Sequence, residues 1–312
     1  MSTPCVAVVD IGSNSIKVLV AGPAARGGLQ TWLSQTIETR ISAGIGAVTP
    51  RLTEEGMTRG LGAVGELLAQ AAAFDPERVQ LVATSAVRAA ANRIEFCDRV
   101  RNKTGIELRL LSGEEEANLI GRGLTCDPAL AAWQDFHLFD LGGGSLECLG
   151  FVQRRVRQAR SLQLGCVRLT EQFVSDRSQP VDRGVLVALE AQVRRTLRES
   201  GFTFAPVAGS LAVGTGGTIT TARTILAARR QQTVAESDPR IPVADLQMLL
   251  AELASYDLAR RRAVPGLTPA RADVFPAALA TLVAVAGEGG FAAYHHSFYN
   301  LRYGVADELL QQ

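Results

Sequence analysis

The stretch VVDIGSNSIKVL, residues 8–19, decides the fold because it recurs as LFDLGGGSLECL, residues 138–149. Each copy has an apolar run, then an Asp, a turn rich in Gly and Ser, and a second apolar run. Asp140 follows Asp10 by 130 residues, and the Gly and Ser of the two turns keep the same spacing. The constant spacing predicts two related halves rather than two unrelated turns.

Each copy is predicted to form a tight β-hairpin. The apolar runs are strand-like, and Gly, Ser and Asn supply the turn. Gly lets backbone N–H groups surround an anion, while Ser and Asn add further donors. An Asp at the end of a strand can hold Mg²⁺, usually through water. One copy alone is typical of an ordinary Gly-rich turn, but the matched pair favours two loops that grip a phosphate and its metal from both sides.

The composition indicates a folded protein with sizeable cores. The chain has 312 residues, of which 47% are hydrophobic and 20% charged, so two domains are expected. The net charge of +1 favours neither nucleic acid nor a membrane surface as a partner. We find no leader-like segment and no apolar run long enough to span a membrane. The five scattered cysteines are expected to be reduced thiols, and the protein is expected to be cytoplasmic.

Strands and helices alternate along the chain, which indicates an α/β fold with layered sheets. We predict a strand followed by a loop over 161–169 and a strand over 207–213. The expected helices are 53–74, 92–104, 182–200, 245–262, 270–285 with a kink at Pro276, and 300–312.

The segment SGEEEA, residues 112–117, opens a predicted helix with three adjacent carboxylates. Ser112 and Glu115 match a capping box, and the helix dipole accounts for Glu114. Neither explanation requires Glu116, which lies beyond the usual capping positions. Glu116 is therefore a candidate functional acid, with a merely structural carboxylate as the alternative.

Three further features can each be explained by structure alone, without a ligand. GTGGT, residues 214–218, follows a predicted strand and feeds a helix, so it is either an anion site at a helix N-terminus or a tight turn. The cluster Arg260 to Arg262 is favoured as a solvated helix end, with a basic lip for a polyanion as the alternative. His295 and His296 lack metal-ligand spacing and are assigned to a strand or loop.

Together the motifs resemble those of the exopolyphosphatase / guanosine pentaphosphate phosphohydrolase family, within the sugar kinase and actin superfamily. The matching stretches are DIGSNS (10–15), ATSAVRAAAN (83–92), SGEEEA (112–117), DLGGGSLE (140–147) and GTGGT (214–218), with weaker matches at LGCVRLTE (164–171), GLTPARAD (266–273) and LRYG (301–304). The resemblance implies an α/β protein of two ribonuclease-H-like (actin-like ATPase) domains around a central cleft. It places one domain at residues 1–120 plus 298–312 and the other at 121–297.

The resemblance also implies roles for individual residues. Glu116 matches the catalytic base that orients water, and Arg88 matches an Arg that would bind phosphate, with a surface salt bridge as its alternative. Asp140 and Glu147 match positions associated with Mg²⁺, and Asp10 would assist through water. The phosphate-binding positions implied are Gly12, Ser13, Asn14, Ser15, Gly143, Gly144, Ser145, Gly214, Gly216, Gly217 and Thr218.

Three positions depart from the family pattern. Leu146 stands where Thr is usual, Lys17 where Arg is common, and Tyr303 where Glu is usual. None of these changes removes an implied catalytic group, so an active enzyme is expected.

The leading hypothesis is Mg²⁺-dependent release of terminal phosphate from inorganic polyphosphate. Longer family members carry an additional helical region, so short chains are plausible substrates here. Guanosine pentaphosphate is the closest rival substrate, and a homodimer is common in the family. An acetate- or sugar-type kinase is disfavoured by SGEEEA, because a Glu placed for water fits a hydrolase better. A nucleotide- or alarmone-binding sensor with little turnover is the alternative outside enzymes.

Overall fold

The computed structural model describes residues 4–25, 28–42, 49–204 and 211–312. Two compact units divide the chain: Met1–Ala132 with Tyr299–Gln312 form the first, and Trp133–Phe298 form the second. The division expected from the sequence, after residue 120, instead falls within a helix that spans Gly113–Thr125. That whole helix belongs to the first unit, because it packs against the helix Leu301–Leu310.

Each unit is built on one β-sheet. In chain order the strands are β1 (Val6–Ile11), β2 (Ser15–Pro23), β3 (Leu29–Glu38), β4 (Arg78–Ala83), β5 (Leu108–Leu110), β6 (Phe136–Leu141), β7 (Leu146–Val152), β8 (Arg155–Leu162), β9 (Leu211–Thr215), β10 (Arg240–Pro242) and β11 (Ala293–His296). The first sheet has the order β3-β2-β1-β4-β5, and the second has the order β10-β11-β9-β6-β7-β8.

The helices follow the same two-part organisation. They are α1 (Glu54–Ala72), α2 (Ser85–Ala89), α3 (Arg93–Thr104), α4 (Gly113–Thr125), α5 (Cys166–Phe173), α6 (Arg183–Glu199), α7 (Gly216–Arg229), α8 (Val243–Ser255), α9 (Leu258–Arg262), α10 (Phe275–Gly289) and α11 (Leu301–Leu310). Short 3₁₀ turns occupy Pro128–Leu130 and Pro269–Arg271. Within the described ranges, no helix is both long and apolar enough to cross a bilayer.

The two sheets share one plan. In each, three consecutive strands form an antiparallel meander, and the first strand of the meander then pairs in parallel with a later strand. A second parallel strand follows, β5 in one sheet and β11 in the other. This is the ribonuclease-H-like arrangement, so the predicted fold class is confirmed in both units.

Burial follows from the composition of these strands. All six residues of β1 are buried, as expected for a central strand covered on both faces. The apolar helix α10 is buried along Phe275–Ala286 and packs against α6 and α8 in the second unit. All five cysteines are free thiols, as expected.

The α4–α11 contact brings two backbones unusually close together. A Cβ on Gly304 of α11 would overlap the carbonyl oxygen of Leu119, and a Cβ on Gly123 of α4 would overlap the carbonyl oxygen of Asn300. Glycine at both positions therefore allows α11 to lie directly on the helix that begins with SGEEEA.

Several predicted elements differ in the structure. The helix expected over 245–262 is two helices, because Asp257 caps α9 through a 2.7 Å hydrogen bond from the backbone N–H of Arg260. Pro276 lies in the first turn of α10 and so begins the helix instead of kinking it. The segment expected to be strand and loop over 161–169 contains the start of α5. Of the strand expected over 207–213, residues 207–210 lie outside the described residues, and β9 begins at Leu211.

The Arg260–Arg262 cluster is not simply a solvated helix end. Arg261 is 0% exposed. Its guanidinium donates hydrogen bonds to the carbonyl oxygens of Asp257, Arg177, Gln179 and Ala272. The solvated interpretation was therefore wrong for this residue, which ties separate segments of the second unit together.

Candidate active site

In the first unit, the candidate residues lie where parallel strands end. The backbone N–H of Thr84 donates to the carbonyl of Ile11 over 3.4 Å, and the N–H of Leu111 donates to that of Ala83 over 3.0 Å. The carboxyl ends of β1, β4 and β5 thus share one edge of the sheet. The functional segments that follow these strands all start from that edge, which is where ligands bind in open α/β sheets.

The turn between β1 and β2 is formed by Gly12, Ser13, Asn14 and Ser15. The N–H of Gly12 donates to the carbonyl of Ser15 over 3.2 Å. The carbonyl of Ser13 accepts from the N–H of Ser42, and the Asn14 carbonyl accepts from Thr39 and Arg40. Because N–H and C=O point in opposite directions in a trans peptide, the N–H of Asn14 points away from that neighbouring segment. The turn is therefore suited to present an amide to an anion.

Asp10 lies one residue before the end of β1, directly opposite Lys17 of β2. Its Oδ2 is 3.9 Å from the ammonium nitrogen of Lys17. Its Oδ1 is buried and receives no hydrogen bond from the residues that the structure describes. A buried carboxylate oxygen of this kind fits the predicted water-mediated role toward a cation.

The three carboxylates of SGEEEA have three different environments. Glu115 completes the predicted capping box: its side chain accepts from the N–H of Ser112 over 2.8 Å, and its own N–H donates to Ser112 Oγ over 3.1 Å. The hydrogen bond from the Ser112 backbone holds the pKa of Glu115 below its ordinary value. Glu114 is exposed, whereas Glu116 is 6% exposed. The sequence therefore identified the one carboxylate that capping does not explain.

Arg88 is the partner of Glu116. It lies in α2, which begins within the ATSA segment shortly after the end of β4. Its Nη1 donates to Glu116 Oε2 over 2.8 Å and to the carbonyl of Leu111 over 2.8 Å. The structure therefore brings Arg88 into contact with the candidate base. The ion pair is largely buried, unlike the surface salt bridge considered for Arg88.

In the second unit, the turn Gly142 to Ser145 repeats the geometry of the first hairpin. The N–H of Gly142 donates to the Ser145 carbonyl over 3.0 Å. The first amides of α5 donate to the carbonyls of Gly142 and Gly143, and Arg168 Nε donates to that of Gly144 over 3.1 Å. A Cβ on Gly165 would overlap the backbone of this turn. The turn is thus held from behind by α5, a helix that the sequence analysis did not predict.

Asp140 and Glu147 lie directly opposite each other on β6 and β7. Side chains in such a pair lie on the same face, with Cβ atoms about 4.5–5.5 Å apart. Glu147 is 2% exposed, and its Oε1 accepts a 2.8 Å hydrogen bond from Ser161 Oγ. Burial and the neighbouring Glu147 raise the pKa of the Cys148 thiol well above its ordinary value.

This pair of carboxylates fits Mg²⁺. Carboxylate oxygens are hard ligands, and Mg²⁺ is usually held by one or two of them together with water and substrate phosphates. No group of three or more metal-binding side chains occurs among the described residues. The donor set therefore suits an ion that keeps its waters and differs from a site enclosed by protein ligands.

The GTGGT segment lies at the junction of β9 and α7, as predicted. Gly216 has φ +82°, and a Cβ on it would overlap Oδ1 of Asp140. Thr218 Oγ1 donates to the Leu141 carbonyl over 2.7 Å, which fastens the turn to the end of β6. Gly214 is within β9, where a Cβ would lie 2.8 Å from Cγ1 of Ile219, so packing accounts for this glycine. The first turn of α7 is thus held against Asp140.

Arg271 is a neighbour of this turn that the sequence analysis did not select. A Cβ built on Gly217 would lie 2.5 Å from Nη1 of Arg271, so the guanidinium lies against the turn. Arg271 is the Arg of GLTPARAD, one of the weaker matches to the family pattern. That match is the sequence signal that could have identified it. Nothing in the local pattern indicated that it would reach a turn more than fifty residues earlier.

Comparisons with known proteins agree with this architecture. The model of the Ppx/GppA phosphatase family matches residues 19–312. An exopolyphosphatase structure from Cytophaga hutchinsonii is 22% identical, with a TM-score of 0.87 and 98% of each chain covered. An exopolyphosphatase-like protein is 25% identical with a TM-score of 0.87, covering 98% of this chain and 97% of that one.

A third solved structure represents the family itself. The Aquifex aeolicus member of the Ppx/GppA family is 25% identical, with a TM-score of 0.78, covering 99% of this chain and 98% of that one. The resemblance predicted from the motifs is therefore confirmed along nearly the whole chain. With its two ribonuclease-H-like units and its phosphate-type turns, this chain belongs to the Ppx/GppA phosphatase family and is a phosphoanhydride hydrolase.

Proposed function

We propose that the protein releases terminal phosphate from inorganic polyphosphate in a Mg²⁺-dependent reaction in which Glu116 orients the attacking water. The observation that carries this proposal is the Glu116–Arg88 pair. Of the three adjacent carboxylates, only Glu116 is buried, and its Oε2 lies 2.8 Å from the Arg88 guanidinium. It lies beyond the capping positions and at the edge of the sheet where ligands bind.

Arg88 is assigned a positioning role. Its hydrogen bond holds Oε2 of Glu116, and its second bond, to Leu111, anchors the guanidinium to the chain just before α4. A carboxylate fixed in this way accepts a hydrogen bond from water in one orientation, which is what in-line attack on phosphorus requires. The oxygen of water forms a bond to the terminal phosphorus, and the bond from that phosphorus to the bridging oxygen breaks. The products are orthophosphate and a chain shortened by one phosphate.

In the second unit, Asp140 and Glu147 would hold Mg²⁺; in the first unit, Asp10 would make a water-mediated contact with a cation. When bound, Mg²⁺ supplies neutralisation of the charge on phosphoryl oxygens. The protein's own groups supply the rest: the turn Gly12–Ser15 in the first unit and the turn Gly142–Ser145 in the second would each offer hydrogen-bond donors to phosphate oxygens. The Gly216 turn and Arg271 add donors beside Asp140.

The composition of these turns supports polyphosphate as the substrate. Their residues are Gly, Ser, Asn and Thr, which donate hydrogen bonds to oxyanions and offer no aromatic surface on which a guanine ring would stack. A linear phosphate chain needs only such donors and cations. Guanosine pentaphosphate has the same terminal anhydride and stays the alternative substrate, since the family includes phosphatases named for both activities.

The experiment is phosphate release with Mg²⁺ from tripolyphosphate, long-chain polyphosphate, guanosine pentaphosphate and ATP. Glu116→Gln is expected to lower kcat by about 10²- to 10⁴-fold, the usual contribution of a positioned acid–base group. Glu114→Gln is the matched control, because it removes an exposed carboxylate two residues away in the same helical turn. It is expected to match the wild type.

Each outcome separates the candidates. Equal losses in Glu116→Gln and Glu114→Gln would contradict the role of Glu116. Fastest release from guanosine pentaphosphate would establish the alternative substrate. Binding of a substrate by folded wild-type protein without any release of phosphate would indicate a sensor.

A further inference from the structure

A chain of hydrogen bonds in the second unit runs from a buried arginine to the Gly216 turn. Arg223 Nη1 is 3.1 Å from Nδ1 of His296, and Nε2 of His296 is 2.9 Å from Oγ1 of Thr220. Thr220 Oγ1 lies 2.7 Å from the carbonyl oxygen of Gly216. His296 is the last residue of β11, whereas Thr220 and Arg223 lie on α7.

The direction of every bond in this chain is determined by its chemistry. A guanidinium has no acceptor, so Nδ1 of His296 must accept from Arg223. The ring proton is then on Nε2, which donates to Thr220 Oγ1. The hydroxyl proton of Thr220 is left to donate to the Gly216 carbonyl. The hydrogen bonds of Arg223, His296 and Thr220 therefore all run in one direction, from the guanidinium to the Gly216 carbonyl. We call these three side chains the relay.

Arg223 and His296 of the relay are buried, and Thr220 is half-buried. Arg223 is 6% exposed and His296 is 3% exposed. Two further hydrogen bonds, to the hydroxyl and the carbonyl of Ser237, fix the guanidinium. Burial, followed by the charge of Arg223, lowers the pKa of His296 to about 3. The imidazole is thus neutral at any working pH, and its Nδ1 stays an acceptor.

We propose that Arg223, His296 and Thr220 are positioning residues that hold the Gly216 turn in place against the Asp140 carboxylate. Gly216 has φ +82° and lies against Oδ1 of Asp140, so a rotation of its peptide changes that contact directly. The carbonyl of Gly216 is held toward the body of α7. The N–H of Gly217, in the same trans peptide, consequently points out of the helix, on the side away from the relay.

This inference rests on the proposed function, because it assumes that Asp140 and the turn serve Mg²⁺ and phosphate. Its consequence is specific. Loosening the turn weakens the use of Mg²⁺ and substrate without unfolding the sheet, because the side chains of the relay come from the first two turns of α7 and from the last residue of β11.

The test uses the full chain and two variants of Thr220. Thr220→Val removes the hydroxyl and keeps the shape, whereas Thr220→Ser keeps the hydroxyl. Thr224→Val is the matched control: Thr224 Oγ1 donates to the Thr220 carbonyl over 2.8 Å, the same kind of bond one turn further along α7. With tripolyphosphate, Thr220→Val is expected to raise the Mg²⁺ concentration for half-maximal rate by about 3- to 10-fold, the worth of one hydrogen bond. Thr220→Ser and Thr224→Val are expected to shift it by less than about twofold.

Two variants of His296 test the direction of the relay. The amide nitrogen of Gln reaches the position of Nε2, so His296→Gln keeps a donor for Thr220. The amide oxygen of Asn reaches only the position of Nδ1, so His296→Asn keeps the acceptor for Arg223 and loses that donor. The Mg²⁺ concentration for half-maximal rate is therefore expected to be lower in His296→Gln than in His296→Asn. Equal requirements in these two, or in Thr220→Val and Thr224→Val, would overturn the proposal.

A binding measurement separates this inference from the proposed function. The dissociation constant for tripolyphosphate with Mg²⁺ is measured for the same variants in the Glu116→Gln background. If the wild type releases no phosphate but the protein binds tripolyphosphate, the proposed function fails, and a weaker affinity in Thr220→Val than in Thr220→Ser still supports the relay. Equal affinities there overturn the relay alone, and the absence of both release and binding overturns both.

Discussion

The two hairpins of this protein have the same backbone and different charges. In both, an Asp lies one residue before the end of the first strand, and a Gly N–H closes the turn on a Ser carbonyl. Opposite Asp10 lies Lys17, whereas opposite Asp140 lies Glu147. The first hairpin thus carries a cation of its own, and the second places two carboxylates together. The difference teaches that a repeated scaffold can be specialised by one residue: the second hairpin is the one in which we propose that a cation binds.

The largest expected effect comes from removing the charge of each Asp in turn. Asp140→Asn is expected to lower kcat/KM for tripolyphosphate by about 10²- to 10³-fold, because it removes a group that acts on charge in the transition state. Asp10→Asn is expected to cost about tenfold, as is usual for groups that act through a ligand or a water. The measurement is phosphate release at saturating Mg²⁺, with thermal unfolding as the control for folding. Equal losses of kcat/KM in the two variants would show that Asp10 and Asp140 contribute equally to the reaction.

An intermediate effect is expected when the first hairpin is given the charges of the second. Lys17→Glu replaces the 3.9 Å ion pair with a carboxylate pair. In EDTA it is expected to cost about 1–2 kcal/mol of unfolding free energy, because Asp10 loses its partner and gains a like charge. That corresponds to a decrease in Tm of roughly 3–6 °C. Adding Mg²⁺ is expected to restore part of this loss in Lys17→Glu and none of it in Lys17→Gln. A restoration of the same size in both variants would contradict a site created by the carboxylate pair.

The smallest effect is expected from neutralising the second hairpin. Glu147→Gln keeps an oxygen that accepts from Ser161 and removes the like-charge repulsion with Asp140. In EDTA its Tm is expected to rise by about 1–3 °C, since directly opposed like charges cost a fraction of a kcal/mol up to about 1 kcal/mol. Mg²⁺ should then stabilise the wild type more than this variant, because a ligand that binds only the folded state raises Tm. Identical Mg²⁺ shifts would remove Glu147 from the cation site.

The sequence was informative wherever the determinants are local. The hairpins follow from an alternation of strand, turn and strand repeated at one spacing. Glu116 could be distinguished from its neighbours because capping rules explain the presence of Glu115 and give no role to Glu116. The start of α7 at GTGGT is likewise a matter of adjacent residues. In each case, a few consecutive side chains determine the backbone.

The sequence was uninformative wherever a side chain acts over long separations. Arg261 was assigned to solvent from its position at a helix end, yet carbonyls from segments about ten and eighty residues away surround it. The helix α5 was missed because its start depends on the approach of Gly165 to the Gly143 turn. Arg271 and His296 belong to the same class, since their partners on α7 are distant in the chain. Tertiary contacts of this kind have no local pattern.

The close contact between α4 and α11 has a consequence for synthesis of the protein. Residues 133–298 form a complete unit whose contacts are all available before α11 is made. The first unit, by contrast, leaves the ribosome without the helix that lies on Gly123. Glu116 lies on α4, and the partner of α4 is α11. The second unit can therefore finish folding while α4, the helix that bears the candidate base, still lacks its contact with α11. The order of translation therefore makes the packing of α11 on the helix that bears Glu116 one of the late events in the folding of the chain.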